Sequence, residues 1–267
     1  MAETTIPKPS HLGPAYAEQF ADPAIVAAYH HRPPYPVQLF TVLSDLVIGQ
    51  PRAVLDLGCG TGDIARPMAA VVDAVDAVDC SQGMIERGRG LPGGDRANLA
   101  WILGYTEEVR LPRASYGLAT AGESLHWMEW DRLLPRLNEL LVPGAYLALV
   151  SRTETPTPWR DDMLTLIGRY TTNRDYQPYS LVAELEKRGL FAQRGVERLD
   201  PLPFQQSIES CIESIHSRNG FSRDRMTHEA AVAFDEQAGL LLSTHCPSGY
   251  VQLDVVGSVT WGRPQTP

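Results

Sequence analysis

Along the first part of this chain the apolar positions alternate between two periods. Residues 15–28 and 37–48 space them as helices do, and His30–Pro36 (HHRPPYP) lies between, where three prolines forbid a helix interior. Short apolar runs bounded by Gly, Pro and acidic residues follow at 54–57, 71–78, 99–103, 117–120 and 145–151, and these are predicted strands. Helical stretches at 63–70, 82–88 and 130–140 separate them, with Ser81 as the N-cap of the second. Strands alternating with helices imply βαβ units and a mostly parallel sheet. The unbroken runs VLDL and YLALV suit strands covered on both faces.

After Ser151 the regularity loosens. A Pro-rich loop, Thr153–Asp161, leads to helices expected over 161–171, 180–188, 207–217 and 228–243 and a strand over 191–199. The alternating run at 250–262 is predicted as a long final strand, antiparallel at an edge. Residues 1–14, rich in Pro, Thr and Ser, are predicted to be a flexible tail. One domain is then expected over 15–267: N-terminal lid helices at 15–50, a ligand-binding core at 51–151, and a C-terminal part at 152–267 with cap helices and the last strands.

A chain of 267 residues, 43% hydrophobic, can bury a full core without staples. Its four cysteines show no paired spacing, which argues against a disulfide framework or a zinc site, so no metal is expected. A net charge of −9 with dispersed Lys and Arg disfavours nucleic acid. The N-terminus lacks the apolar stretch of a signal peptide and no run is long enough to span a membrane. The expectation is a cytoplasmic protein, monomer or homodimer, whose partner is a small molecule.

Chemistry concentrates in Val54–Asp63, VLDLGCGTGD. A strand ending in Asp56, then Gly58, Gly60 and Gly62 before a helix, makes a turn whose backbone a ligand can approach closely. Gly60 to Ala65 satisfies the dinucleotide pattern G-x-G-x-x-A, so a nicotinamide cofactor and an oxidoreductase fit the loop alone. Asp56 sits badly beside a pyrophosphate and well beside a cation.

The string VLDLGCGTG resembles the first motif of class I S-adenosylmethionine methyltransferases, whose cofactor carries an ammonium and a sulfonium but no phosphate. The resemblance implies a Rossmann-like, seven-stranded, mainly parallel sheet with one antiparallel edge strand, helices on both faces and helical cap segments. It also implies that Asp56, Gly58, Cys59, Gly60 and Gly62 hold the methionyl end. Asp79, ending the second strand, takes the ribose hydroxyls, with Cys80 beside it. SQGMI (Ser81–Ile85) is similar to the family's S-x-x-M-I/L, placing Met84 on the adenine, although a plain helix-core Met fits too. GYTEEVRLP (Gly104–Pro112) resembles G-D-A-E-x-L-P, with Tyr105 in place of Asp, so that Thr106 and Glu107 complete the adenine side. YGLATAGESLHWMEW (Tyr116–Trp130) is similar to the F-D-L-V-x-x-x-x-A-L-H-W of small-molecule methyltransferases, including the trans-aconitate methyltransferase group. Here Gly117 replaces Asp, and Ala121 faces the cofactor.

The same resemblance implies methyl transfer to a small-molecule acceptor, most simply at a hydroxyl or carboxylate oxygen. His126 is the candidate base, with a packing role as its alternative. Tyr29, Arg32 and Tyr35, in a stretch similar to the family's Y-x-x-x-R-P-x-Y-P lid, are candidate acceptor-binding residues, as are Glu123, Trp127 and Trp159. Arg152 is a candidate carboxylate partner or an internal salt bridge. A protein of this fold that catalyses a cyclisation would carry the same cofactor motifs.

Overall fold

The computed structural model describes residues 8–266. The five apolar runs become β1 (Ala53–Leu57), β2 (Ala74–Asp79), β3 (Leu99–Leu103), β4 (Tyr116–Gly122) and β5 (Leu141–Glu154), each parallel to its neighbour. All of β1 and all of β4 but Gly122 is buried, as helices packed on both faces require. Then follow β6 (Phe191–Arg198), β7 (Leu202–Ser207) and β8 (Tyr250–Pro264). The sheet order is β3-β2-β1-β4-β5-β8-β6, with β7 also on β8, and β8 is antiparallel to all three of its neighbours.

The sheet thus has eight strands, one more than expected. The added strand is β7, which contains Pro203, lacks apolar alternation, and is made a strand only by pairing with Tyr250–Val255. The antiparallel β8 lies one place in from the β6 edge. On that edge Arg194, Glu197 and Arg198 are exposed, and such charge discourages further pairing.

Two cores sandwich the sheet. Leu133, Leu134 and Leu137 of the helix Trp130–Leu140 fill one face, and Leu39, Leu43 and Met68 fill the other. A third core lies in the cap, where Trp159, Met163, Leu166, Ile212, Phe234 and Leu242 join three helices. The cap is fastened to the N-terminal lid: Arg225 donates twice to Asp22, at 2.6 and 3.0 Å, and Asn219 donates to the Tyr16 carbonyl at 2.6 Å.

Three expectations change. The single helix over 15–28 is broken into short pieces, with Pro23 starting the last. Residues 8–14 of the expected flexible tail carry a turn of 3-10 helix, Ser10–Leu12, with His11 and Leu12 buried. One turn has no periodicity for a sequence to reveal; residues 1–7 of that tail lie outside the described residues. Gly117 has a steric reason: a Cβ there would run into the Ile48 carbonyl, where the chain crosses the start of β4.

Going outward from β1 the chain builds β2 and β3, then returns to add β4 on the other side. This reversal opens a crevice at the C-terminal ends of β1 and β4, where open α/β sheets bind ligands.

Candidate active site

At the crevice the chain turns through Gly58, Gly60 and Gly62 with φ of 62°, 55° and 79°, a region side chains rarely adopt. The Cys59 N–H bonds the Val78 carbonyl at 2.9 Å and the Gly60 N–H bonds Asp79 Oδ2 at 2.7 Å, lashing the loop to the end of β2. The glycines face different things. A Cβ on Gly58 would stand 2.8 Å from Ser124 Cβ, and one on Gly62 would stand 2.5 Å from the Trp101 ring. A Cβ on Gly60 would face the lid, 3.4 Å from the Tyr29 hydroxyl. Two of the three therefore serve packing inside the fold.

Asp56 is 1% exposed. Its Oδ1 accepts from Thr120 Oγ1 at 2.8 Å, while Oδ2 is buried with no partner. Burial, opposed by the Thr120 bond and the Ala65 backbone N–H and reinforced by Asp79 and Asp63, lifts its pKa to about 7. Asp56, Cys59, Asp63, Tyr29, Tyr35 and Arg152 are among the residues lining a narrow cleft. Cys59 is buried, which pushes its thiol well up.

Across the loop, Asp79 accepts from the N–H groups of Gly60 and Ser81, each at 2.7 Å. Burial raises its pKa against those two donors. Met84 is buried beneath the Ser81 cap, and Cys80 and Tyr105 are exposed beside it. Thr106 is buried. Glu107, expected at the adenine side, instead accepts from the Glu129 N–H at 2.7 Å and so caps the helix Trp130–Leu140, where the helix dipole favours a carboxylate.

After β4 the next loop closes the site. Ala121 is buried in the β5 pairing. Glu123 takes φ 52°, unusual for a side chain of its size, and its N–H bonds the Val150 carbonyl at 3.0 Å. Ser124 Oγ donates to the Leu57 carbonyl at 2.5 Å, tying this loop to the glycine turn. His126 stands on the turn Leu125–Trp127, its ring 4.6 Å from Trp127, which is 5.5 Å from Phe20. Neither nitrogen of His126 bonds a described residue. Burial first, then the charges of Lys8, His11 and Arg32, lowers its pKa to about 3.

From the lid, the Arg32 guanidinium lies 4.2 Å over the Tyr29 ring and donates to Ser217 Oγ at 2.8 Å and to the Ser217 carbonyl. Lys8 donates to the Met128 carbonyl at 3.1 Å, with burial lowering its pKa to about 8 against the pull of Glu129 and Glu107. Neither Lys8 nor Arg32 has an ion-pair partner among the described residues. Trp159, expected in the acceptor pocket, is built into the cap core. Lys8 and Phe20 were not expected here. Lys8 reaches the site across 120 residues of sequence and Phe20 by a long-range ring contact, so neither carries a local signal.

Among the described residues no helix is long and apolar enough to cross a membrane, and no group of three His, Cys, Asp or Glu is placed to hold a metal ion.

Residues 54–144 match the family model described as a methyltransferase domain. An uncharacterized methyltransferase of Mycobacterium tuberculosis is 31% identical over 147 residues, which is 54% of this chain and 57% of that protein. The trans-aconitate 2-methyltransferase of Delftia acidovorans is 32% identical over 111 residues, 40% of this chain and 41% of that one. The match thus spans 57% of the length of the first of these curated relatives and 41% of the second. The solved structure of a proposed type II methyltransferase from Anaeromyxobacter dehalogenans has the same fold, with a TM-score of 0.66, 22% identity, and coverage of 88% of this chain and 98% of that one. The matched sequence runs from β1 through the helix Trp130–Leu140 into the start of β5 and takes in the glycine turn, so this part of the chain is similar to methyltransferase domains.

Proposed function

We propose that this protein transfers a methyl group from S-adenosylmethionine to an oxygen of a small molecule that arrives as an anion, a carboxylate or a phenolate. The cofactor side has the right vacant valences. Asp56 Oδ2, buried and without a partner at the cleft, suits an ammonium. Each oxygen of Asp79 accepts one backbone N–H and keeps lone pairs for a ribose hydroxyl. When bound, the cofactor supplies a methyl on a sulfonium, which needs no further activation. The cleft is closed over by Tyr29, which faces Gly60, and is too narrow for a small molecule as it stands, so Tyr29 moves off Gly60 when the cofactor enters.

The observation that carries the oxyanion is the charge around His126. A nitrogen whose pKa is about 3 is too weak a base to take a hydroxyl proton near neutral pH. Lys8 and Arg32, both without carboxylate partners, instead stabilise an acceptor that is already deprotonated. The chain's own work is then to align the acceptor, exclude water, and hold His126 neutral.

Titration calorimetry with S-adenosylmethionine and NAD tests the cofactor. Methyl-labelled S-adenosylmethionine incubated with a metabolite extract tests the transfer: label in a carboxylic ester, released as methanol by mild alkali, or in an aryl ether is the expected result. Label on nitrogen or carbon overturns the oxygen acceptor. Tight S-adenosylmethionine binding with no transfer to any component favours a non-methylating reaction such as a cyclisation, and NAD binding alone refutes the whole reading.

A further inference from the structure

We infer that Arg152 is a positioning residue that seats the lid on the cofactor cleft, registering Tyr29, Arg32 and Tyr35 against the ends of β1, β4 and β5. The inference rests on the cofactor reading only for what the lid covers.

Arg152 lies on β5 two residues after Val150, and its side chain is 8% exposed. One guanidinium faces four residues from three separate segments. Its Nη1 donates to the Pro33 carbonyl at 2.5 Å, and its plane lies 4.4 Å over the Tyr35 ring, both in the lid. Its Nε stands 3.4 Å from Glu123 Oε2, after β4, and Nη1 stands 4.0 Å from Asp63 Oδ2, after the glycine turn. Both ion pairs are longer than the 2.7–2.9 Å of a well-formed charge-assisted bond, so neither carboxylate alone fixes the guanidinium. The Pro33 carbonyl and the Tyr35 face fix it, which means the lid orients Arg152 and Arg152 orients the lid.

Other ties of the lid point elsewhere. Asp22, Tyr16, Gln19 and Arg32 bond to Arg225, Asn219, Gly220 and Ser217, all in the cap. From residues 23–36 to the cofactor-binding core, the remaining side-chain bond among the described residues is His30 to Arg87 at 2.8 Å, which is exposed. Arg152 is therefore the buried link across the seam that must open for the cofactor. A lysine keeps the charge but cannot stack on Tyr35 while bonding Pro33 and facing Glu123, so it is not a conservative replacement.

The test uses the full-length protein and three variants, Arg152→Lys, Arg152→Gln and, as an exposed control, Arg113→Lys, whose partner is Glu139. Hydrogen exchange on the ligand-free protein is read separately over residues 23–36 and over β1 and β4. The expected result for Arg152→Lys is exchange faster by about tenfold or more in 23–36, with β1 and β4 unchanged, and S-adenosylmethionine affinity weaker by about fivefold or more. Arg113→Lys changes neither. Should Arg152→Gln fail to fold, Arg152→Lys still decides. Unchanged exchange in 23–36 for a folded Arg152→Lys overturns the inference, as does acceleration spread equally over β1 and β4, which marks a merely structural residue. Because the exchange is measured without ligand, failure of S-adenosylmethionine to bind the wild-type protein would refute the cofactor reading and leave the seating of the lid to stand or fall on exchange alone.

Discussion

The two sides of the crevice carry opposite charge and are built in opposite ways. On the β1–β2 side stand Asp56, Asp63 and Asp79; the bonds at Asp79 are local, from N–H groups 2 and 19 residues away, while Asp56 takes its bond from Thr120, 64 residues on. On the β4 side stand Lys8 and Arg32 around a neutral His126, and their bonds run to residues 120 and 185 positions distant. On the proposed reading one side takes a cation and the other an anion, and transfer of a methyl group from sulfonium to oxyanion would cancel both charges, which a buried site favours. The difference teaches where sequence is informative. Motifs record the side that folds onto itself, and they are silent about the side assembled from distant segments.

The sharpest way to break the comparison is at Asp79. Asp79→Ala is expected to weaken S-adenosylmethionine binding by about 1–3 kcal/mol, the usual range for lost charge-assisted hydrogen bonds, or roughly ten- to hundredfold by calorimetry. The substitution also strips acceptors from the Gly60 and Ser81 N–H groups, so a thermal melt accompanies it. Unchanged affinity in a folded protein would remove Asp79 from the cofactor side.

On the opposite side, Arg32→Gln keeps a donor for Ser217 but deletes the cation. The expected outcome is a KM for the acceptor raised by about tenfold, with S-adenosylmethionine affinity within about twofold. A loss of cofactor affinity instead would place the Arg32 charge on the donor's own carboxylate and collapse the division between the two sides.

Much of the donor side was legible. Asp56, the glycine turn, Asp79 and the Ser81 cap all stand where the pattern put them, because strand, turn and helix lie within about thirty residues and each constrains the next. Other features were not legible, for physical reasons. The Trp101 ring occupies the space a Cβ on Gly62 would fill, and no local rule links the two positions. Glu107 accepts from the Glu129 N–H, a partner 22 residues on that no local pattern announces. Trp159 sits in the cap core, a cluster whose members come from helices scattered over the last third of the sequence. β7 exists only through β8, so nothing in LPFQQS could announce it.

Asp56 sharpens the comparison through pH. Its pKa of about 7 lies above the ordinary aspartate value, so the folded, ligand-free protein binds a proton that the unfolded chain does not. That contribution to stability is present in full below about pH 4 and is lost as pH rises through 7. A cation at Oδ2 needs the ionised form, so cofactor affinity has the opposite slope. It is expected to rise about tenfold from pH 6 to pH 8, with proton release detectable in buffers of different ionisation enthalpy. In Asp56→Asn the slope should vanish. A flat affinity profile in the wild-type protein would mean that the cation does not approach Oδ2.

The smallest expected effect is the most discriminating for mechanism. If the acceptor arrives as an anion, His126 has no proton to take, and its neutral ring only shapes the pocket beside Trp127. His126→Asn, which keeps a polar group of related size, should then leave kcat within about threefold and the shape of the pH profile between 5 and 8 the same as in the wild-type protein, because a group titrating near 3 cannot bend the profile there. General base catalysis contributes about a hundredfold or more, so a base would be unmistakable. A loss of that size with cofactor affinity intact would return His126 to the reaction. It would also require an acceptor that carries its proton into the site, and Lys8 and Arg32 would then lose the role of holding an oxyanion.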